Sequence, residues 1–455
     1  MTEKSEQKKQ SKAVLVGVQL PNISDKEHQA SLDELGRLAK TLGLDVIAQV
    51  SQKRKSHASG TILGRGKLNE LATWTDGPGI KKDGEEEEEE YLNPYKDPDD
   101  DEYEEEIKEK ATVVVFDCEM TPTQLSNIEE ATGVEVLDRT GVILEIFSAH
   151  ARSGEARLKV ELAQLAYLAP RLRASRVGKD RQGGGIGSKG AGETAHELDK
   201  RRIRDRKAEL KQQLKAISNE QGNRRNHRQG LPTVALVGYT NAGKSSLMRA
   251  LTGSEVLVEN KLFATLDTTI RTLHPETMPK ILITDTVGFI KKLPHDLVAS
   301  FRSTLDEAHN ASLLLYTVDA SDPTFRSQLQ VTKEVLSDID ADSIRSLIIL
   351  NKIDQVDSET LKELRLEFPQ SLFISTLNKE DVKKVREKIL NVFEEDMTDE
   401  LFFIPFTHSH IIGAIRKRAR IVKEVHEDEG TNITVRTEPS THEWIKRDLI
   451  SKIEK

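Results

Sequence analysis

Residues 238–245 read GYTNAGKS, and this stretch decides the fold class of the middle of the chain. It fits the phosphate-loop pattern G-x-x-x-x-G-K-[ST], which connects a buried strand to a helix. The apolar run TVALVG comes before it and the helix-forming run SLMRAL follows, so the sequence supplies that context. Backbone N–H groups of such a loop surround phosphate groups at the amino terminus of the helix. The predicted phosphate-binding residues are Gly238, Tyr239, Thr240, Asn241, Ala242, Gly243, Lys244 and Ser245.

A second stretch, DTVG at 285–288, extends this site toward a terminal phosphate. Lys244 is placed to neutralise the β- and γ-phosphates, and Ser245 to offer its hydroxyl to Mg²⁺. Because DTVG follows the apolar run ILIT, Asp285 is expected to hold Mg²⁺ through water and the Gly288 N–H to meet the γ-phosphate. The predicted residues of this stretch are Asp285, Thr286, Val287 and Gly288.

A switch threonine that binds Mg²⁺ is expected between these two motifs, in LFATLDTTIRTL. Thr265 is the first choice, with Thr268 and Thr269 as alternatives, so the predicted metal ligands are Ser245 and Thr265. The nucleotide-contacting residues predicted here are Phe263, Ala264, Thr265, Leu266 and Asp267.

NKID at 351–354, which ends the strand-like run SLIIL, predicts the base. The Asp354 carboxylate can accept two hydrogen bonds from one edge of guanine, whereas adenine would leave that buried acceptor unpaired. Asn351 and Lys352 would brace the base and the phosphate loop, and STL at 375–377 would supply backbone contacts. The predicted base-binding residues are Asn351, Lys352, Ile353, Asp354, Ser375, Thr376 and Leu377.

The alternation of apolar strand-like runs with helical patterns predicts an α/β fold with parallel sheets. We predict an N-terminal α/β domain (1–152), a helical hairpin with a Gly-rich loop (153–229), a P-loop GTPase domain (230–396) and a small α+β domain (397–455). The hairpin is expected to form a short coiled coil. The last domain is expected to contain strand LFFIPF, helix SHIIGAIRKRARIV, strand NITVRTE and helix THEWIKRDLISKI.

The formal charge of −9 is distributed unevenly. Residues 83–106 contain fifteen acidic residues and one lysine, and we expect about 76–109 to be a disordered surface insertion. Residues 171–228 contain seventeen Lys or Arg and seven acidic residues, which is typical of a nucleic-acid contact. The candidate RNA contacts are Arg181, Lys189, Arg201, Arg202, Arg204 and Arg206.

The composition of the chain also indicates the cellular compartment in which the protein works. A single cysteine, Cys118, excludes an intrachain disulfide and is typical of a reducing cytosol. No apolar run approaches the roughly 18 residues of a membrane span. We therefore expect a cytoplasmic protein without membrane insertion. We also expect the protein to be a monomer.

The chain resembles the HflX family of ribosome-associated GTPases over most of its length. The resemblance depends on GYTNAGKS, FATLD, DTVGFI with LPHDLV, and NKID, together with GRGKLNEL and FDCEMTPTQ near the N-terminus and GAGET…DKRR in the hairpin. It implies GTP and GDP as ligands, Mg²⁺ as cofactor, and binding to the large ribosomal subunit and its rRNA through the hairpin loop. It also implies low intrinsic GTP hydrolysis that the ribosome stimulates, in the splitting or rescue of stalled ribosomes.

Phe289 stands where many GTPases have a water-orienting glutamine, and a phenyl ring cannot polarise water. No catalytic residue is therefore assigned; a backbone group, a neighbouring domain, a cation or the ribosome remains open as the orienting group. Asn241 is typical of GTPases that K⁺ activates, so K⁺ is a further candidate cofactor. Two alternatives to a ribosome-stimulated GTPase are a nucleotide-gated adaptor whose hairpin binds a protein partner and an RNA-modifying or RNA-remodelling enzyme coupled to GTP. The GRGK turn at 64–67 also leaves open a second nucleotide site.

Overall fold

The structure is a computed structural model that describes residues 11–80, 109–177, 195–226, 231–253, 262–263, 265–266, 268–277, 279–292, 307–395, 397–416, 418–437 and 439–449. The chain divides into two compact units. The first comprises Met1–Ala149 with Arg157–Lys211, and the second comprises His150–Ala156 with Gln212–Lys455. No helix among the described residues is long and apolar enough to cross a membrane.

The first unit begins with a four-stranded parallel sheet of order β2-β1-β3-β4. Its strands are β1 (Lys12–Gln19), β2 (Asp45–Lys53), β3 (Val113–Phe116) and β4 (Glu135–Asp138). Its helices are α1 (Asp25–Leu42), α2 (Arg65–Thr75), α3 (Pro122–Thr132) and α4 (Arg139–His150). Strands β1 and β3 are almost wholly buried, as near-continuous apolar runs in a parallel sheet should be. The helix α4 lacks a clear apolar stripe in sequence because most of its residues are buried.

Residues 76–80, at the start of the predicted disordered insertion, make defined contacts in the structure. The Gly79 N–H donates to the Ala131 carbonyl at 2.9 Å, and the Ile80 N–H donates to Asn69 Oδ1 at 3.0 Å. Ile80 also packs against the core of this sheet. The prediction was therefore wrong for 76–80, because apolar and backbone contacts fix those residues; 81–108 lie outside the described residues.

Two long helices follow, α5 (Gly154–Val177) and α6 (Ala195–Asn226), where the hairpin was predicted. Arg206 on α6 forms a two-pronged ion pair with Glu161 on α5, at 2.7 and 2.9 Å. Arg206 therefore connects the two helices. The Gly-rich loop, with Arg181 and Lys189, lies outside the described residues.

The second unit contains a six-stranded sheet of order β10-β9-β8-β5-β7-β6, parallel except for β6. Its strands are β5 (Thr233–Val237), β6 (Thr269–Thr272), β7 (Leu282–Asp285), β8 (Leu313–Asp319), β9 (Ser346–Asn351) and β10 (Leu372–Phe373). Its helices are α7 (Lys244–Thr252), α8 (Phe325–Ser337), α9 (Ser358–Glu367) and α10 (Lys379–Glu394). The α/β fold class is confirmed, and the runs TVALVG, ILIT and SLIIL correspond to β5, β7 and β9. The short edge strand β6 was not predicted because it lies within a polar, threonine-rich stretch.

The chain ends in a three-stranded antiparallel sheet of order β11-β13-β12. Its elements are β11 (Thr398–Pro405), α11 (His410–Arg416), β12 (Arg420–His426), β13 (Gly430–Thr437) and α12 (Pro439–Trp444). The predicted helix over 409–422 was too long. It ends at Arg416, and β12 begins four residues later, because pairing with β13 outweighs the helical propensity of an arginine-rich run.

Candidate nucleotide site

A cavity of about 460 Å³ opens at the carboxyl edge of the six-stranded sheet. This edge is where ligands bind in open α/β sheets, because loops and helix amino termini converge there. GYTNAGKS, the switch stretch, DTVG, NKID and STL all contribute to its lining. The predicted residues that line it are Thr240, Asn241, Gly243, Lys244, Ser245, Phe263, Thr265, Gly288, Asn351, Lys352, Asp354, Thr376 and Leu377.

Two glycines allow the phosphate loop to follow its path between β5 and α7. Gly238 has φ 149°, and a Cβ there would lie 2.2 Å from the Thr317 carbonyl oxygen. Gly243 has φ 96°, and a Cβ there would lie 2.2 Å from Asn351 Nδ2. Any side chain at either position would be strained and would collide, so the G-x-x-x-x-G spacing is required by this backbone.

Lys244 is buried at the start of α7. Its Nζ donates to the carbonyls of Gly238 at 3.0 Å and Tyr239 at 2.8 Å. Burial lowers the pKa of its ammonium to about 8, although the nearby Asp285 carboxylate acts in the opposite direction. An ammonium group in a buried loop has lost its hydration, and an anion that binds beside it compensates for that loss.

Three oxygen-bearing side chains meet beside Lys244. Ser245 Oγ donates to Asp285 Oδ2 at 2.6 Å and lies 2.8 Å from Thr265 Oγ1. Asp285 is fully buried, and its other oxygen, Oδ1, has no hydrogen-bond partner among the described residues. Burial raises the pKa of Asp285 despite the opposing effects of Lys244 and these hydroxyls. An unsatisfied buried carboxylate oxygen next to two hydroxyls fits a hard divalent cation such as Mg²⁺.

The same geometry separates two of the three candidate threonines. Thr265 reaches Ser245, whereas Thr269 is the first residue of β6 and pairs with Asp285 along the backbone. Of the surrounding predicted residues, Phe263 lines the cavity and Leu266 is buried. Ala264 and Asp267 lie outside the described residues.

Phe289 is part of the scaffold of the site. Tyr239 and Phe289 form a parallel bridge, in which the Phe289 N–H donates to the Gly238 carbonyl at 3.1 Å. The Thr240 N–H donates to the Phe289 carbonyl at 2.8 Å, and the Phe289 side chain is 3% exposed. This bridge presses DTVG against the phosphate loop, so closely that a Cβ on Gly288 would lie 2.9 Å from Lys244 Nζ.

The base-binding side is held by Asn351 and Lys352. Asn351 Nδ2 donates to the Ala242 carbonyl at 2.9 Å, and the Thr376 N–H donates to Asn351 Oδ1 at 3.2 Å. Asn351 therefore connects the phosphate loop to the STL stretch. Lys352 adopts φ 61°, and its Nζ lies 2.6 Å from Asp319 Oδ2. The Asp354 side chain lines the cavity at the start of a short 3₁₀ turn, Ile353–Gln355.

Sequence reasoning missed two carboxylates. Asp319 ends β8, the strand beside β9, and it lines the cavity together with Gln355 and Ser246. Asp381 accepts from the Ser375 N–H at 3.1 Å and from Lys384 at 2.8 Å. Its partial burial would raise its pKa, but these two bonds outweigh that effect and lower the pKa. An acidic residue at the end of an apolar strand was the available signal for Asp319; Asp381 gave none.

Three family models match successive parts of the chain. "GTP-binding GTPase N-terminal" matches 29–81 and 101–148, "GTP-binding GTPase Middle Region" matches 150–228, and "50S ribosome-binding GTPase" matches 233–352. A protein named GTPase HflX from Gluconacetobacter diazotrophicus is 50% identical over 97% of this chain and 98% of its own length. The chain belongs to the HflX family of GTPases. A GTPase HflX from Caldanaerobacter subterraneus is 35% identical over 97% of the chain and 94% of its own length.

A solved structure is also similar: a GTP-binding protein from Sulfolobus solfataricus in complex with GDP. It is 22% identical, covers 84% of this chain and 98% of its own chain, and has a TM-score of 0.41. Membership of the HflX family makes the reaction GTP hydrolysis, as the four motifs predicted. GTPases of this kind use Mg²⁺, which Ser245, Thr265 and Asp285 would hold here.

Proposed function

We propose that this HflX GTPase binds the large ribosomal subunit in its GTP state and hydrolyses GTP when the subunit stimulates it. The outcome would be the splitting or rescue of stalled ribosomes. The description "50S ribosome-binding GTPase" of the model matching 233–352 supports the choice of partner. The protein would act as a monomer in the cytoplasm.

The burial of Phe289 is the observation that carries the proposal. Its backbone pairs with the phosphate loop and its ring is buried, so this position offers no polar group to a water molecule. A site with a phosphate loop and a cluster of oxygen ligands for Mg²⁺, but with an apolar residue at the water-orienting position, binds GTP well and hydrolyses it slowly. The ribosome would supply or order the missing group.

Contact with rRNA is assigned to the hairpin. Arg201 and Arg202 have side chains that are 64% and 78% exposed, and their ion pairs with Asp205 and Asp199 are long, at 4.0 and 3.6 Å. Arg204 is also exposed on α6. Such weak surface pairs are readily exchanged for phosphate contacts. Arg206 is a poorer candidate than predicted because Glu161 and Glu209 both engage it.

The decisive experiment is sedimentation of the protein with large subunits in sucrose gradients. Binding should be strong with a non-hydrolysable GTP analogue and weak with GDP or without nucleotide. In parallel, steady-state GTP turnover should rise several-fold or more when large subunits are added. Rapid turnover by the isolated protein, unchanged by subunits, would contradict the proposal.

A second cation is proposed on the evidence of Asn241. Its φ of 62° places it in the left-handed region at the tip of the phosphate loop, where it lines the cavity. There, K⁺ could add to the positive charge that stabilises the transition state. Turnover should be several-fold faster in K⁺ than in Na⁺ at equal ionic strength, and Asn241→Ser should remove the difference. Equal rates in both salts would dispose of the idea.

A further inference from the structure

Asp138 is a buried carboxylate that plays no part in the nucleotide site. It is the last residue of β4, at the carboxyl edge of the N-terminal sheet, and it is 1% exposed. A buried charge of this kind is costly unless each oxygen is well hydrogen-bonded. Its four donors therefore indicate what the carboxylate holds in place.

Two of these donors belong to the N-terminal domain. The Gly141 N–H, in the first turn of α4, donates to Asp138 Oδ1 at 2.8 Å. The Met120 N–H, just before α3, donates to Asp138 Oδ2 at 3.2 Å. These bonds fix the carboxylate with respect to the sheet and to the starts of two helices.

The other two donors come from the first hairpin helix. Tyr167 Oη donates to Asp138 Oδ1 at 2.6 Å, and Arg171 Nη2 donates to Asp138 Oδ2 at 2.7 Å. The two residues are four apart, so they lie on one face of α5. The Arg171 guanidinium stacks 3.1 Å from the centre of the Tyr167 ring. Burial raises the pKa of Tyr167, as does the Asp138 charge, so its hydroxyl keeps the proton that it donates.

The approach of α5 to the domain is close. A Cβ added to Gly141 would lie 2.7 Å from Tyr167 Oη, so this glycine makes room for the hydroxyl. Val160 and Ala163, on the same side of α5 as Tyr167, are 2% and 3% exposed. If α5 moved away, both carboxylate oxygens would lose their charged or hydroxyl donor inside a buried site. That penalty makes the contact stiff.

We propose that Asp138, Tyr167 and Arg171 form a joint that sets the direction of the hairpin relative to the N-terminal sheet. The N-terminal domain then serves as the rigid mount of the hairpin, and Asp138 is a positioning residue. Arg206 and Glu161 extend the constraint from α5 to α6. The joint itself does not depend on the proposed function. Its effect on ribosome-stimulated turnover rests on that function.

The test measures the distance between spin labels on the full-length protein. Lys40→Cys, at the end of α1, and Arg204→Cys, on α6, carry the labels, and both positions are exposed. The native Cys118 is replaced by alanine in every variant, so that only these two thiols react. A single narrow distance distribution is expected without further change. It should broaden at least twofold in Asp138→Asn and in the double variant Tyr167→Phe/Arg171→Met. Glu70→Gln, which removes a surface ion pair of 2.6 Å with Lys67, is the matched control and should leave it narrow.

The double variant alters only α5, so the test survives even if Asp138→Asn fails to fold. A narrow distribution in the folded double variant would overturn the joint. If the joint exists, the double variant should keep the intrinsic rate of GTP turnover. The factor by which large subunits raise that rate should fall about tenfold. If large subunits fail to stimulate the wild-type protein, the proposed function is refuted. The distance measurement then decides by itself whether the joint exists.

Discussion

At the residue scale, we expect specificity for guanine to depend on one carboxylate with two acceptor oxygens. Asp354 lines the cavity beside Lys352, and its role as the guanine acceptor follows from NKID. The replacement Asp354→Asn would offer one acceptor and one donor in its place. That pattern no longer suits guanine but suits a base with a carbonyl in place of the exocyclic amine, namely xanthine.

We therefore expect Asp354→Asn to weaken GTP binding by at least about 100-fold and to gain hydrolysis of XTP, because a site built to hydrogen-bond one edge rejects a mismatched one strongly. Competition between fluorescent GDP and each nucleotide measures this change. Asp357→Asn, the same carboxylate-to-amide change at a helix cap outside the cavity, is the control. Unaltered preference for GTP in Asp354→Asn would refute the assignment.

Asp319 gives a second prediction at this scale. Its Oδ2 holds Lys352 at 2.6 Å, while its Oδ1 accepts from Ser321 Oγ at 2.6 Å. Asp319→Asn should free the lysine and raise KM for GTP about tenfold, with kcat unchanged, because the lost interaction stabilises the bound ground state and the transition state equally. In Lys352→Met the same change should add little, since coupled residues are not additive. Full additivity of the two changes would show that Asp319 acts elsewhere.

At the scale of secondary-structure elements, the arginines of α6 differ in their partners and in their exposure. Arg206 pairs with Glu161 across the hairpin, whereas Arg201 and Arg202 face solvent. Each phosphate contact contributes about 0.7 to 0.9 to the slope of log affinity against log salt.

Accordingly, the double variant Arg201→Gln/Arg202→Gln should weaken binding to large subunits and reduce that slope by about 1.5. Arg206→Gln should leave the slope nearly unchanged and lower the melting temperature instead. Sedimentation at several salt concentrations distinguishes the two outcomes. An unchanged slope in the double variant would favour a protein partner for the hairpin.

At the scale of the whole molecule, the described chain forms two compact units, and the nucleotide cavity lies entirely in the second. A ligand stabilises only what it binds in the folded state, by about 2.7 kcal/mol at 100 times its Kd. GDP with Mg²⁺ should therefore slow amide hydrogen exchange in β5 and β9 by up to about 100-fold.

Exchange in β1 and β3 should stay unchanged, because their core, around Val16 and Phe116, is separate from that of the second unit. Exchange measured by mass spectrometry with and without GDP checks both statements. Equal protection of all four strands would mean that the two units unfold as one. Chelation of Mg²⁺ should remove much of the protection, since Asp285 Oδ1 would again lack a partner.

The sequence by itself determined the class of fold, the order of the motifs and the chemistry of the nucleotide site. It could do so because glycines, lysine and carboxylates at strand ends act locally: GYTNAGKS needs only its own backbone to form a phosphate loop, and NKID needs only to end a strand. Thr265 as the Mg²⁺ ligand stays a prediction, and its Oγ1 lies 2.8 Å from Ser245 Oγ.

Only the tertiary structure decided which side chains meet across long stretches of chain. The β8–β9 register brings Asp319 and Lys352 together. The packing of α5 brings Tyr167 to Asp138. Backbone pairing with Tyr239 fixes Phe289 in a buried position. The strand β12 exists only because β13 offers it a partner. Such contacts depend on how elements pack, and no periodicity along the chain encodes them.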